Sequence, residues 1–88
     1  MKLLIAVVQT ADSADVASAL LEKGFRVTKL ASTGGFLRRG STTMLIGVED
    51  EQVDEVIEII KGSLQTPSEP LVKQGAIFVL PVSRFEQI

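Results

Sequence analysis

The sequence predicts an α+β fold in which four β-strands and two α-helices follow in the order βαββαβ. Three observations support this. Continuous apolar runs at residues 2–8 and 42–48 are typical of strands in the middle of a sheet. Each run is followed by a segment whose apolar residues recur at helical spacing. A further apolar run at residues 75–80, stopped by Pro81, predicts the last strand.

The first helix is predicted to begin at about Ala14, because Asp12 and Ser13 are favourable N-cap residues. Its apolar positions fall at helical spacing: Val16, Ala17, Leu20 and Leu21. Gly24 stands where a helix is expected to end on a C-cap glycine.

The second strand is predicted over residues 25–32, near an edge of the sheet. Because side chains alternate between the two faces of a strand, Arg26, Thr28 and Leu30 are expected on one face. The chain from 26 to 47 then forms a hairpin whose turn is rich in glycine, and we call it the basic hairpin.

The second helix is predicted to start with Asp50 as its N-cap and to end at Gly62. Its apolar stripe has the i, i+3, i+4, i+7 spacing of one buried face: Val53, Val56, Ile57 and Ile60. Residues 62–74 read as a polar linker without regular structure, because they contain Pro67 and Pro70.

This order of elements is the ferredoxin-like arrangement, a four-stranded antiparallel sheet with both helices on one face. Right-handed crossovers place the first and third strands at its centre. Residues 1–88 are therefore expected to form a single domain with a short 62–74 loop. Both central strands are apolar throughout, so the second sheet face also requires cover, and we expect the chain to self-associate.

Composition excludes several functions. The chain has neither His nor Cys, which rules out thiolate nucleophiles, Ser-His-Asp triads and His- or Cys-ligated metal centres, and we expect no enzyme. The acidic residues from Glu49 to Glu58 follow the solvated face of a helix, so no metal site and no cofactor are expected. The net charge of −2 is unlike that of a general nucleic-acid binder. No apolar run is long enough for an export signal or a membrane span, which predicts a cytoplasmic protein.

The basic hairpin is the main candidate for function. Between Glu22 and Glu49 the chain has five basic residues and no acidic one: Lys23, Arg26, Lys29, Arg38 and Arg39. Glycine-rich backbone lets N–H groups point at an anion, and Arg26 with Thr28 can contact a phosphate. Phe36 and Leu37 in the turn need a packing partner. We therefore predict binding of an anionic ligand such as a nucleotide, with an ordinary hairpin turn as the alternative.

The hairpin also resembles a known family. The string KLASTGGFLR, followed by GxTT and GV, closely resembles the PII-like cyclic-di-AMP receptors. The opening MKLLIAVVQ, the segment VDEVIEII and the closing FVLPVSRFEQI resemble the same family in the same order.

The resemblance implies a homotrimeric, non-enzymatic receptor that binds cyclic-di-AMP between neighbouring subunits and signals to a downstream protein. By matching position, Arg26 and Thr28 would contact base and phosphate. The segment Gly35, Phe36 and Leu37 would hold the adenine, and Gly47 would let it approach the third strand. Phe78 and Gln87 would line the neighbouring part of the pocket. The full set of expected ligand-binding residues is Arg26, Thr28, Gly35, Phe36, Leu37, Arg38, Ser41, Gly47, Phe78 and Gln87.

The sequence departs from the family pattern at three places. Gly24 and Ser41 stand where the receptors carry Asn, and residues 62–74 are far shorter than the loop expected there. Two alternatives therefore stay open. One is a PII-like sensor of another adenine nucleotide or a small anion. The other is a trimeric interaction module that docks on a partner through Phe36 and Leu37 without binding a nucleotide.

Overall fold

The computed structural model describes residues 1–30, 40–65 and 75–88. Its elements in chain order are β1 (Lys2–Gln9), α1 (Thr10–Glu22), β2 (Val27–Leu30), β3 (Ser41–Val48), a 3₁₀ turn (Asp50–Gln52), α2 (Val53–Gly62) and β4 (Gly75–Pro81). The strands form one antiparallel sheet in the order β2-β3-β1-β4. This confirms the predicted ferredoxin-like α+β fold, with β1 and β3 at the centre.

One face of the sheet packs against both helices and forms the core. Alternate residues of the two central strands are buried there, as the period of two along a strand requires. The buried apolar set is Leu4, Ala6, Val8, Val16, Leu20, Phe25, Met44, Ile46, Val48, Val56 and Ile60. None of the described helices is long and apolar enough to cross a membrane.

The other face of the sheet, which we call the open face, has no helix packed on it in the described part of the chain. The strand register assigns it thirteen positions: Leu3, Ile5, Val7, Gln9, Thr28, Leu30, Ser41, Thr43, Leu45, Gly47, Ala76, Phe78 and Leu80. None of these residues is charged. We expected β1 to be buried on both of its faces. In the single chain it is buried only on the face that packs against the helices, and its open-face residues, such as Ile5, are half-buried.

The start of α1 differs from the prediction. The helix begins at Thr10 rather than near Ala14, and its N-cap residue Gln9 makes no side-chain capping bond. Instead the Thr10 N–H donates to the carbonyl of Gly40 at 2.7 Å. A backbone group from a distant segment thus satisfies an N–H of the first turn, which is why no capping side chain is needed at this end.

The end of α1 is as predicted. Gly24 has φ +88°, a left-handed conformation that favours glycine. The N–H of Gly24 donates to Leu21 O at 3.0 Å, and the N–H of Phe25 donates to Leu20 O at 3.0 Å. This pair of bonds is a Schellman motif, and Phe25 and Leu20 are both part of the apolar core.

Two further boundaries differ. Residues 25 and 26 precede β2 instead of belonging to it, because the chain is still completing the helix end there, and Ser32 lies outside the described residues. The cap before α2 is Glu49 and not Asp50. Glu49 forms a capping box with Gln52, whose side-chain oxygen accepts the Glu49 N–H at 2.9 Å.

Candidate functional site

Six of the ten expected ligand-binding residues lie in the described part of the chain, and the structure distributes them over three regions of the open face and its borders. The six are Arg26, Thr28, Ser41, Gly47, Phe78 and Gln87. The four from the hairpin turn lie outside the described residues: Gly35, Phe36, Leu37 and Arg38.

Arg26, Thr28 and Gly47 come together at one corner of the sheet. Thr28 is exposed on β2 and pairs with Leu45 on β3. Arg26 directly precedes the pair Val27–Ile46, so it lies beside Gly47 at the end of the β2–β3 ladder. Arg26 is exposed and forms no ion pair with any of the described residues. A guanidinium and a hydroxyl are thus available together next to a strand residue without a side chain, which suits an anionic ligand.

Phe78 lies on the opposite edge of the same face. The register aligns Thr28 with Leu45, Leu45 with Ile5, and Ile5 with Phe78, so these four residues form one row across the four strands. Strands in a sheet are about 4.8 Å apart, which places Thr28 and Phe78 of one chain about 14 Å from each other. A base or phosphate in hydrogen-bonding contact with Thr28 therefore does not reach Phe78 of the same chain.

Ser41 lies apart from both groups. It is the first residue of β3, pairs with Gln9, and is half-buried. It lies six positions from Gly47 along the strand, a distance of about 20 Å at the usual rise per residue. The predicted set is therefore not one compact site within a single chain.

The N-terminal residue borders the Arg26 corner. Its ammonium group lies 3.1 Å from Asp50 Oδ1, and its carbonyl accepts the Val82 N–H at 3.1 Å. The hydrogen bond from this ammonium, followed by its charge, holds the pKa of the Asp50 carboxyl below its usual value. The Met1 Cε atom lies 3.7 Å from the point where a Cβ on Gly47 would stand, an ordinary van der Waals distance. Met1 thus lines one side of the open strand position at Gly47.

The first turn of α1 makes contacts that the sequence did not reveal. Thr10 and Thr42 share a hydrogen bond of 3.0 Å between their hydroxyl oxygens, 32 residues apart in the chain. Asp12 is fully buried, and its Oδ1 accepts the backbone N–H of Gln65 at 3.0 Å. This turn is therefore bonded to Gly40 and Thr42, where the chain enters β3, and to Gln65 in the linker. A polar pattern near Asp12 was visible in the sequence, but it was interpreted only as a helix cap.

A buried hydroxyl is a second feature that sequence reasoning missed. Thr43 is 4 % exposed on the open face, and its Oγ1 has no hydrogen-bond partner among the described residues. Within residues 1–30, 40–65 and 75–88, no three His, Cys, Asp or Glu side chains are grouped so that they could hold a metal ion. An apolar cavity of about 400 Å³ lies between α2 and β4, and none of the six described ligand-binding candidates lines it.

Known proteins resemble this chain over most of its length. The family described as "Cyclic-di-AMP receptor" matches residues 1–75. A protein from Methanothermococcus thermolithotrophicus, named "Nitrogen fixation nifHD region GlnB-like protein 1", is 32 % identical over 96 aligned residues that cover 94 % of this chain and 89 % of the relative. A crystal structure of a functionally unknown protein from Pediococcus pentosaceus ATCC 25745 is 41 % identical, with a TM-score of 0.80, and the match covers 99 % of this chain and 96 % of that one.

The family match includes β1, α1, β2, the basic hairpin, β3 and α2, and it ends at the first residue of β4. It thus contains the Arg26 corner but neither Phe78 nor Gln87. The alignment covers nearly the whole of the GlnB-like relative from Methanothermococcus, and the Pediococcus structure has the same fold. The chain belongs to the cyclic-di-AMP receptor family.

Proposed function

We propose that this protein is a non-enzymatic signalling receptor that binds cyclic-di-AMP in clefts between the subunits of a homotrimer. The observation that carries the proposal is the position of Thr28 and Phe78 at opposite edges of one uncharged sheet face. A ligand that contacts both residues requires the β2 edge of one copy and the β4 edge of another.

The open face supports the assembly. Its thirteen positions carry no charge, although charged residues make up 23 % of the chain. On β4, Phe78 is 55 % exposed and Leu80 is 44 % exposed in the single chain. Contiguous apolar surface of this kind is typical of protein–protein interfaces. Three copies joined through this face enclose the apolar surface and bring β2 edges next to β4 edges.

The Arg26 corner supports an anionic ligand. Phosphate oxygens accept hydrogen bonds from the Arg26 guanidinium and the Thr28 hydroxyl, and a base can approach β3 at Gly47 because no side chain blocks it there. The basic hairpin carries +5 in a chain with a net charge of −2, so the rest of the chain carries −7. This concentrates the positive potential where the dinucleotide is proposed to bind.

Isothermal titration of the protein with cyclic-di-AMP, cyclic-di-GMP, ATP, ADP and AMP tests the ligand. Arg26→Ala should weaken the binding of cyclic-di-AMP about 10- to 150-fold, the range expected for the loss of a hydrogen bond from a charged donor. Lys29→Ala is the matched control, because Lys29 is exposed on the same short strand but lies on the opposite side of it. Equal losses for the two variants would mean that only the general positive charge matters.

Sedimentation equilibrium tests the assembly. Each chain has a mass of 9.5 kDa, so a trimer has a mass of 28.5 kDa. Leu45→Asp should dissociate it, because the substitution puts a charge in the middle of the open face. Leu21→Asp is the control, since Leu21 is 58 % exposed on α1, away from this face. A monomeric wild-type protein at tens of micromolar would rule out the inter-subunit site.

A second candidate ligand is favoured by Gly24. This residue is left-handed, with φ +88°, and a Cβ there would meet nothing within 4 Å. Asn also tolerates this conformation, so either residue completes the helix end, but only Asn offers an amide to a base. The protein is then a sensor of another adenine nucleotide or a small anion, and tighter binding of AMP, ADP or ATP than of cyclic-di-AMP in the same titrations would establish it.

The downstream step follows from the assembly. We infer a cytoplasmic receptor that signals by presenting its surface to a partner protein rather than by catalysis. Cyclic-di-AMP should therefore be recovered unchanged after prolonged incubation with the protein, as measured by chromatography. An interaction module that needs no nucleotide would instead retain its partner in a pulldown with Arg26→Ala and lose it with Phe36→Ala.

A further inference from the structure

Met1 is held over Gly47, at the Arg26 corner, by contacts at both ends of its backbone. Its ammonium group lies 3.1 Å from Asp50 Oδ1, and its carbonyl accepts the Val82 N–H at 3.1 Å. Its side chain ends on the open face, where Cε lies 3.7 Å from the point at which a Cβ on Gly47 would stand. The backbone of this residue is thus tied to the fold, which limits where its thioether can go.

Met1 also carries the accessible sulfur of the chain. The sequence contains two methionines and no cysteine. The other methionine, Met44, is fully buried in the core, whereas Met1 is 43 % exposed. The susceptibility of sulfur to oxidation follows its exposure. An oxidant in solution therefore reaches Met1 before it reaches Met44.

The position of this sulfur matters to a ligand at the Arg26 corner. A base that approaches β3 at Gly47 meets the Met1 side chain, because Cε stands next to the space that a side chain on Gly47 would fill. A thioether is apolar and makes favourable contacts with aromatic rings, with the sulfur about 5 Å from the ring. A sulfoxide in its place is polar and chiral. Its oxygen accepts hydrogen bonds, so it attracts water and competes with a phosphate for the guanidinium of Arg26, which lies beside Gly47.

We propose that Met1 is a site of reversible oxidation by hydrogen peroxide, and that its sulfoxide weakens ligand binding at the Arg26 corner. This rests on the proposed function, in which a nucleotide base approaches Gly47. In the reaction the thioether sulfur attacks one peroxide oxygen, the O–O bond breaks, and the other oxygen takes up the remaining proton and leaves as water. The sulfur loses two electrons and the peroxide gains them, and a methionine sulfoxide reductase reverses the change.

Peptide mapping by mass spectrometry, after timed exposure to hydrogen peroxide, tests the modification. We expect Met1 to gain one oxygen atom before Met44 does, and to lose it again on treatment with methionine sulfoxide reductases. Cyclic-di-AMP bound at saturation should slow the oxidation of Met1, because the base covers the sulfur. Equal oxidation rates for the two methionines, or no protection by bound cyclic-di-AMP, would overturn the proposal.

Isothermal titration of untreated and peroxide-treated protein tests the consequence. Oxidation should weaken cyclic-di-AMP binding about 2- to 10-fold, the range for the loss of one sulfur–aromatic contact. Met44→Leu should show the same loss, because it retains Met1 and a core tolerates a substitution of similar volume. Protein in which norleucine replaces both methionines contains no sulfur, so peroxide should not change its affinity. An equal loss in the norleucine protein would show that peroxide acts elsewhere and would overturn the proposal.

NMR spectroscopy tests the position of Met1 without any nucleotide. In protein with ¹³C-methyl-labelled methionine, we expect a nuclear Overhauser effect between the Met1 ε-methyl group and the Hα protons of Gly47, and its absence would overturn the proposal. Untreated protein that binds no nucleotide would refute the proposed function and this inference with it. Untreated protein that binds cyclic-di-AMP with an affinity that oxidation does not change would overturn this inference alone.

Discussion

Gly75→Ala is expected to destabilise the fold strongly, because the first residue of β4 has no room for a side chain. A Cβ on Gly75 would stand 2.4 Å from the backbone oxygen of Val7 and 3.4 Å from the Cα of Val8. The clashing atom belongs to the backbone of the central strand β1, so it cannot rotate away as a flexible side chain could. The β1–β4 ladder must open or slide at this end, where Gly75 pairs with Val8.

The size of the effect follows from that clash. Overpacking of a well-packed region typically costs about 1–3 kcal/mol. For a domain of this size, each kcal/mol lowers the melting temperature by about 4–8 °C, so Gly75→Ala should melt about 5–20 °C below the wild type. Gly62→Ala is the matched control. A Cβ at Gly62 would meet nothing within 4 Å, and Gly62 is the last residue of α2, so alanine there should stabilise by up to about 1 kcal/mol.

The assay is thermal unfolding followed by far-ultraviolet circular dichroism, with all variants at one protein concentration because association shifts the melting temperature. The reasoning is refuted if Gly75→Ala melts within about 2 °C of the wild type, since the 2.4 Å approach of Val7 would then not exist in the folded protein. A melting temperature for Gly62→Ala as low as that of Gly75→Ala would show that the loss reflects glycine replacement in general.

Three further predictions concern single residues. Asp12→Ala should lower the free energy of unfolding, measured in urea, by about 1–3 kcal/mol, because the Gln65 N–H loses its buried acceptor. The control is Asp15→Ala, on the exposed side of the same helix, which should change the free energy of unfolding by less than about 0.5 kcal/mol. Gly24→Ala should lower the same free energy of unfolding by about 1 kcal/mol, because the φ at this position is positive, and Gly24→Asn should lower it by less. Equal losses for the two variants would show that position 24 does not require a left-handed conformation. Because the pKa of Asp50 is lowered in the folded protein, the Asp50 carboxylate is protonated in the unfolded chain before it is protonated in the folded one as the pH falls. This contribution to stability is therefore present above the unfolded pKa of about 3.9 and is lost as the pH falls through the lower folded value, and an NMR titration that finds an ordinary pKa for Asp50 would contradict it.

The ends of the helices show how far local sequence reasoning reaches. The end of α1 was predicted because a Schellman motif depends on neighbouring residues, chiefly the left-handed Gly24. Its start was predicted four residues late. At that end the Thr10 N–H donates to the carbonyl of Gly40, which lies 30 residues away in the chain. A pattern of neighbouring residues cannot predict so distant a partner. The cap before α2 was predicted at Asp50, whereas the capping box begins at Glu49 and belongs to the 3₁₀ turn in front of α2, because both residue types suit such a position.

The candidate site divides in the same way. The residues of the basic hairpin and their chemistry were apparent in the sequence, since charge, glycine content and motif are read from neighbouring positions. The distance between Thr28 and Phe78 was not apparent, because it depends on three strand registers, one of which pairs Ile5 with Phe78, 73 residues apart in the chain. Nor could the sequence show that Asp12 is bonded to Gln65.

By itself the sequence determined the elements, their order, the two central strands and the receptor motif of the hairpin, because hydrophobic periodicity and turn residues act over a few positions. Only the tertiary structure decided which residues lie opposite each other in the sheet, and with this that Thr28 and Phe78 lie on opposite edges of one face. The physical reason is that register and burial are set by packing between distant segments.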